Sequence, residues 1–112
     1  MFLKKANFEK ANLKKSQFLN CRFQETIFKE ASLLRINLAQ ADLSKADLSG
    51  CDLRWAILIN TNLSGANLKG ANLSGANLTG ANLTGALLDE AILAGTDFFK
   101  VIVQEFLFQM LI

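Results

Sequence analysis

The chain has 112 residues, of which 51% are hydrophobic, and a formal net charge of +2. A chain of this length forms one domain, and so small a charge argues against nucleic acid as its partner. The chain contains no histidine and no proline. The lack of histidine excludes catalytic triads, two-histidine zinc sites and histidine proton relays. We therefore expect no enzymatic activity, no cofactor and no bound metal.

The two ends of the chain carry no targeting or membrane signal that we recognise. Residues 1–5 read MFLKK and lead straight into patterned sequence, without the apolar segment of a secretory signal. The longest apolar-rich stretch, residues 101–112, is shorter than the roughly 20 residues that a membrane-spanning helix needs. We expect a cytoplasmic protein without membrane contact.

A five-residue repeat occupies most of the chain. Nineteen consecutive units run without insertion from residues 6–10 to residues 96–100. The third residue of every unit is Leu or Phe, the first is small in all units except at Ile36, and the second is most often Asn or Asp. Residues 66–70, which read ANLKG, show the pattern most clearly.

A period of five matches neither a helix, which repeats near 3.6 residues, nor a strand, which repeats at two. It predicts a short extended segment followed by a turn. All seven glycines occupy the fifth position of a unit, where a type II turn requires a positive φ. Before Gly50 the fifth position holds Lys, Asn, Glu, Arg or Gln. For those earlier units we expect a different turn without a positive φ. In a stack of such units, nearly every backbone N–H near the core donates a hydrogen bond. Proline has no backbone N–H to donate, which explains its absence.

The pattern A(N/D)LxG resembles that of the pentapeptide-repeat proteins, and the resemblance extends from about Leu3 to Lys100. It implies an all-β fold, a right-handed quadrilateral parallel β-helix with four units per coil, in which residues twenty apart stack. We expect about five coils over residues 1–100. Residues 101–112 would form a short C-terminal cap or self-association segment.

Stacking with a period of twenty predicts where the unusual side chains lie. Phenylalanines fill the third position only up to Phe28 and again at Phe98, so that aromatic rings close the ends of the stack. Cys21 and Cys51 point inward from different coils and should remain reduced. The second-position acids Asp42, Asp47 and Asp52 lie on three different faces, so they form no metal site or acid pair.

The outward positions offer a candidate protein-contact surface. Trp55, Ile57 and Ile59 should face solvent, and Ile59 stacks in a column with Leu19. Arg35 should lie beneath Trp55 as a cation–π partner. A contiguous apolar patch marks a partner surface, whereas scattered exposed apolar residues are ordinary. Both interpretations remain open from the sequence.

The C-terminal segment departs from the repeat because Phe106 falls at a first position, which must be small. Regular coiling should therefore end near residues 101–106. One interpretation is a short capping helix, and the other is a self-associating end that forms a homodimer; the family resemblance supports both. The candidate residues are Phe99, Ile102, Phe106, Phe108 and Leu111.

These features favour a non-enzymatic protein-interaction or structural scaffold with an unidentified protein partner. The family resemblance supplies an alternative, a topoisomerase-binding DNA mimic like the quinolone-resistance members. A DNA mimic needs an anionic surface. Residues 1–40 carry eight Lys and Arg against three Glu, a balance of +5. This charge and the short length argue against mimicry.

Overall fold

The computed structural model describes residues 1–104, which wind into a four-sided, right-handed parallel β-helix. Each five-residue unit contributes a single pairing residue at its second position rather than a longer strand. Parallel bridges join residues twenty apart, from Phe2–Arg22 to Asn82–Ile102. Five complete coils therefore span residues 1–100, and residues 1–104 contain no helix. The all-β fold and its stacking period are confirmed.

Three backbone hydrogen bonds per unit join each coil to the next. The third-position N–H donates to a carbonyl of the next coil, as from Leu3 to Arg22 at 2.8 Å. The fifth-position N–H does the same, as from Lys5 to Gln24 at 3.0 Å. The second-position N–H donates to a carbonyl of the preceding coil, as from Arg22 to Met1 at 2.9 Å. Neighbouring coils thus hold one another in register, as adjacent strands of a parallel sheet do.

The corners correct one prediction from the sequence. Every fifth position from Lys5 to Lys100 has a positive φ, between 56° and 62° at the non-glycine residues and between 67° and 72° at the glycines. The expectation of a different turn before Gly50 was wrong. In the first four coils, the fifth-position N–H bonds to the next coil; turn bonds, as from the Ala6 N–H to the Leu3 carbonyl at 3.0 Å, also occur at the corners of the fifth coil, as from the Ala91 N–H to the Leu88 carbonyl at 3.0 Å. These hydrogen bonds outweigh the roughly 1–2 kcal/mol that a left-handed conformation costs a residue with a Cβ.

The core is a column of third-position Leu and Phe side chains beside a column of small first-position residues. From Phe23 to Leu88, every third-position side chain is buried. Near the N-terminal end four phenylalanine rings, of Phe8, Phe18, Phe23 and Phe28, pack with centroids 5.3–6.4 Å apart. This ring cluster confirms the aromatic filling of that end.

Buried or partly buried polar side chains of the first position bond back to the core backbone. The Thr26 hydroxyl donates to the Leu3 carbonyl at 2.9 Å, and the Thr96 hydroxyl to the Leu73 carbonyl at 2.7 Å. The Cys51 thiol donates in the same way to the Phe28 carbonyl at 2.8 Å. These acceptors lie one coil below, so each bond also ties two coils together. A Thr or Cys therefore replaces Ala here without leaving an unpaired buried donor.

The regular stack begins and ends outside the nineteen units counted from the sequence. Residues 1–5 already form a turn unit, in which Phe2 pairs with Arg22 although Met1 is not a small residue. At the other end, Ile102 still pairs with Asn82, and the Ile102 N–H donates to Ala81 at 2.8 Å. Pairing thus extends two residues beyond Lys100.

Candidate protein-contact face

One side of the β-helix differs from the other three in its outward residues. We call it the apolar face and define it by the second and fourth positions of the units that begin at residues 16, 36, 56, 76 and 96. Its residues are Gln17, Leu19, Asn37, Ala39, Ile57, Ile59, Asn77, Thr79, Asp97 and Phe99. The fourth positions form one continuous column, and Leu, Ile and Phe alternate there with Ala and Thr.

The apolar face is also depleted of charge. Asp97 is the one charged residue among its ten outward positions. Each of the other three faces also has ten outward positions over these five coils. The face whose first unit begins at residue 6 has five charged residues there, and the faces whose first units begin at residues 1 and 11 have three each. Depletion of charge at the centre of a surface patch is the compositional signal of a protein interface.

The predicted surface residues lie together on this side of the molecule. Trp55 occupies the adjoining corner and is 56% exposed, and Ile57 is 37% exposed. Ile59 is half-buried rather than fully outward. Leu19 and Phe99 are 49% and 63% exposed near the two ends of the same column. Phe99, which we assigned to the C-terminal end, thus belongs to this face as well.

The Trp55 side chain lies between Arg35 of the preceding coil and Gly75 of the next coil. The Arg35 guanidinium carbon lies 5.9 Å from the centroid of the indole, as the period of twenty predicts. Gly75, one coil above, leaves room for the ring: a Cβ on Gly75 would meet three indole atoms at 2.5–2.7 Å. We did not single out Gly75 from the sequence, although its position twenty residues after Trp55 was a sufficient signal.

The other candidate residues lie at the C-terminal end of the described chain. Ile102 is 51% exposed at a second position. The last third-position side chains, Leu93, Phe98 and Val103, are also exposed there. Phe106, Phe108 and Leu111 lie outside the described residues. The choice between a cap and a self-association end therefore stays a prediction.

The polar second positions serve the turns. All twelve Asn and Asp residues at this position accept a hydrogen bond from the N–H two residues later, at 2.9–3.2 Å. The row of Asn side chains is thus structural. Asp42, Asp47 and Asp52 lie in three different columns, where they pair with Asn62, Asn67 and Asn72. No metal-binding cluster occurs within residues 1–104.

Two ionisable groups have shifted pKa values, and neither indicates catalysis. Burial, together with the nearby Asp47 and Asp52 carboxylates, raises the pKa of the Cys51 thiol to about 12. Cys51 is therefore a protonated, inert core residue. The hydrogen bonds from Arg54 lower the pKa of Asp52. This ion pair is bidentate, with Arg54 Nε and Nη2 at 2.8 Å and 2.7 Å from the carboxylate oxygens.

A shallow depression of about 340 Å³ lies on the neighbouring face, around Ser32. Its lining contains two ion pairs, in which Lys10 lies 3.9 Å from Glu30 and Arg54 binds Asp52, and one further cation, Lys14. The Ser32 hydroxyl is buried without a hydrogen-bond partner. Because that oxygen is inaccessible, it is not available to a ligand in the depression.

The family model for pentapeptide repeats matches residues 3–38, 36–75 and 66–104, with eight copies. The chain belongs to the pentapeptide-repeat family. The match covers the five coils described above, and it agrees with the stacking of residues twenty apart.

Solved structures of pentapeptide-repeat proteins share the fold. The protein Rfr23 from the cyanobacterium Cyanothece has 30% identity and a TM-score of 0.91, over 93% of this chain and 84% of Rfr23. A pentapeptide-repeat protein from the thylakoid lumen of Arabidopsis thaliana has 31% identity and a TM-score of 0.70, over 97% of this chain and 72% of its own.

A more distant likeness concerns trypsin-treated QnrB1, a plasmid-mediated fluoroquinolone resistance protein. It has 21% identity and a TM-score of 0.54, over 96% of this chain and 71% of that one. At this identity the likeness concerns the fold alone. None of the curated proteins matches this pentapeptide-repeat sequence. Within residues 1–104, no helix is long and apolar enough to cross a membrane.

Proposed function

We propose that this pentapeptide-repeat chain is a non-enzymatic protein-binding module and that the apolar face, with Trp55 at its edge, is the contact surface. The observation that carries the proposal is the single charged residue among the ten outward positions of that face. Charge depletion there coincides with exposed Leu19, Ile57 and Phe99. An exposed, contiguous apolar patch with few charges is typical of a protein interface.

The rigidity of the fold supports the same proposal. The face is part of a continuous backbone ladder, in which Ile57 donates to Ile36 at 2.9 Å and its carbonyl accepts from Leu38 at 2.8 Å. No loop interrupts the five-residue units through residue 100. A surface that is already ordered loses little conformational entropy when a partner binds. The Trp55 side chain, placed between Arg35 and Gly75, is an aromatic anchor of the kind that dominates interface energies.

The alternative, a topoisomerase-binding DNA mimic, has no support from the charge of this chain. Its net charge is +2, and the two coils of residues 1–40 carry a balance of +5. A duplex-like surface must instead be anionic along its length to compete for a cationic DNA groove.

An affinity pull-down with matched variants tests the proposal. The face variant carries Trp55→Ser, Ile57→Thr and Ile59→Thr. The control variant carries Ile27→Thr and Leu87→Thr, which alter half-buried outward residues of the opposite face. We expect a partner that binds wild type and the control variant but not the face variant, with all three proteins equally folded by circular dichroism. The proposal is wrong if every retained protein also binds the face variant.

A further inference from the structure

We propose that the apolar face binds an amphipathic α-helix of the partner, aligned with the axis of the β-helix and bordered by acidic residues. This inference rests on the proposed function, since it names the kind of partner that the same face would bind. It depends on the spacing of the apolar residues, the backbone groups of the face and the charges at its edges.

The backbone of the face cannot accept another strand. The Ile57 and Ile59 carbonyls accept hydrogen bonds from Leu38 and Gln40, at 2.8 Å and 2.9 Å, and the Ile57 N–H donates to Ile36. Strand addition needs a row of free donors and acceptors along a sheet edge. The middle of this face has no such row, so the partner must bind through its side chains.

The apolar column has the spacing of a helix. Neighbouring coils are about 4.8 Å apart, the distance between paired strands. Leu19, Ile59 and Phe99 lie in alternate coils, so they are spaced at about 10 Å. A helix presents residues i, i+7 and i+14 on one side at a spacing of about 10.5 Å. An extended strand presents same-side residues about 6.7 Å apart, which does not match.

The column also alternates in size, which suits a helix. The small residues Ala39 and Thr79 separate the larger Leu19, Ile59 and Phe99. Hollows therefore lie between the larger side chains, at the places where side chains of a facing helix would insert. Helices pack in this manner by placing their ridges in the grooves of a partner. In the third coil, Trp55 and Ile57 widen the apolar surface on one side of the column.

The charges at the edges indicate the chemistry of the helix. The apolar face and its two bounding corners carry the cations Lys15, Arg35 and Lys100 and the single anion Asp97. Acidic residues beside the apolar stripe of a helix would complement this border, and basic residues would be repelled. The charged residues at the edges thus favour acidic over basic amphipathic helices, and the apolar column supplies the contact area.

A peptide-display selection tests the inference. Random peptides of about 20 residues, somewhat longer than the roughly 16-residue helix that spans the five coils, are selected on wild type and counter-selected on the face variant. We expect enriched peptides with apolar residues at i, i+7 and i+14 and flanking Glu or Asp. The synthesised peptides should become helical on binding. Their affinity should fall about tenfold or more with the face variant, and should be unchanged with the Ile27→Thr, Leu87→Thr control.

Three other outcomes would overturn the inference. Enriched peptides with alternating apolar residues and no induced helicity would indicate an extended ligand; the protein-binding proposal would then stand without the helix. Dimerisation of wild type that the face variant abolishes, measured by sedimentation equilibrium, would identify a second copy as the occupant. An absence of peptides that depend on the face would also contradict the inference, whereas only the pull-down decides the proposed function.

Discussion

The indole of Trp55 lies against the backbone of Gly75, so that a Cβ on Gly75 would lie 2.5 Å from the ring atom Cε3. Gly75 also has a φ of +71°. Two independent reasons therefore favour glycine at this position: the left-handed backbone and the space for the ring. Gly70 has a similar φ of +69°, but a Cβ on Gly70 would have no neighbouring atom within 4 Å, so Gly70 shares only the first reason.

Replacing these two glycines separates the two effects. Gly70→Ala should cost about 1–2 kcal/mol in the free energy of unfolding, because a Cβ in the left-handed region is strained. Gly75→Ala should cost about 0.5–1 kcal/mol more, because the displaced indole loses its contact with Arg35. Chemical denaturation measures both costs. The fluorescence of Trp55, the single tryptophan, should change in Gly75→Ala and not in Gly70→Ala. Equal costs with unchanged fluorescence would contradict the contact.

The left-handed corners predict an unusual preference for glycine at Glu90. This residue has a φ of 61°. Glu90→Gly should therefore be more stable than Glu90→Ala by about 1 kcal/mol, since Ala keeps the strained Cβ and Gly does not. The Ala variant removes the same carboxylate, so the pair isolates the backbone effect. Thermal and chemical unfolding of both proteins measure it, and an Ala variant as stable as the Gly variant would contradict the corner geometry.

The turn hydrogen bond accepted by second-position Asn and Asp side chains predicts that substitutions at Ser32 and Asn72 change stability in opposite directions. Ser32 is too short to accept from the residue two positions later, and its own hydroxyl is buried without a partner. Ser32→Asn should raise the free energy of unfolding by about 0.5–1.5 kcal/mol, because it adds the missing bond. Asn72 accepts from the Ser74 N–H at 3.1 Å, so Asn72→Ser should lower stability by a similar amount. Changes of the same sign in both variants would show that the bond is not responsible.

The Asp52–Arg54 pair predicts a contribution to acid stability. The pKa of Asp52 is lower in the folded chain than its ordinary value, mainly because of the Arg54 hydrogen bonds. Its stabilising contribution is therefore present above the unfolded pKa and is lost as the pH falls through the folded pKa. Between about pH 5 and about pH 2, wild type should lose more stability than Asp52→Asn. Asn retains the turn acceptor, and high salt should reduce the difference. Identical pH profiles would contradict this assignment.

The five-residue repeat predicted which residues face inward, and the resemblance to the pentapeptide-repeat family, which implies four units per coil, predicted which residues stack. Because each side of a coil has the same length, Trp55 could be placed above Arg35 without coordinates. The corner conformation of Lys45 and similar residues could not be predicted in this way. Residue preference favours positive φ mainly for glycine and, less often, for asparagine, whereas the hydrogen bonds of the corners hold other residue types in the same conformation.

The candidate contact face was predicted in part. Trp55 and Ile57 were expected to be exposed, and they are. The sequence also contained the charge depletion of the face, which becomes visible once outward residues are sorted by side of the β-helix. The half-burial of Ile59 was not predicted, because the repeat places its fourth position simply outward. The role of the face in binding stays a prediction.

Because residues twenty apart stack, the number of residues that precede a side chain decides on which face of the β-helix it lies. An insertion of five residues after Gln40 would keep every corner and core position intact. It would nevertheless turn all later coils by one side, and Ile59 would no longer lie above Leu19. A duplication of twenty residues would instead lengthen the same face by one step. Evolution can therefore extend this surface by whole coils, while single-unit changes break it up without unfolding the chain.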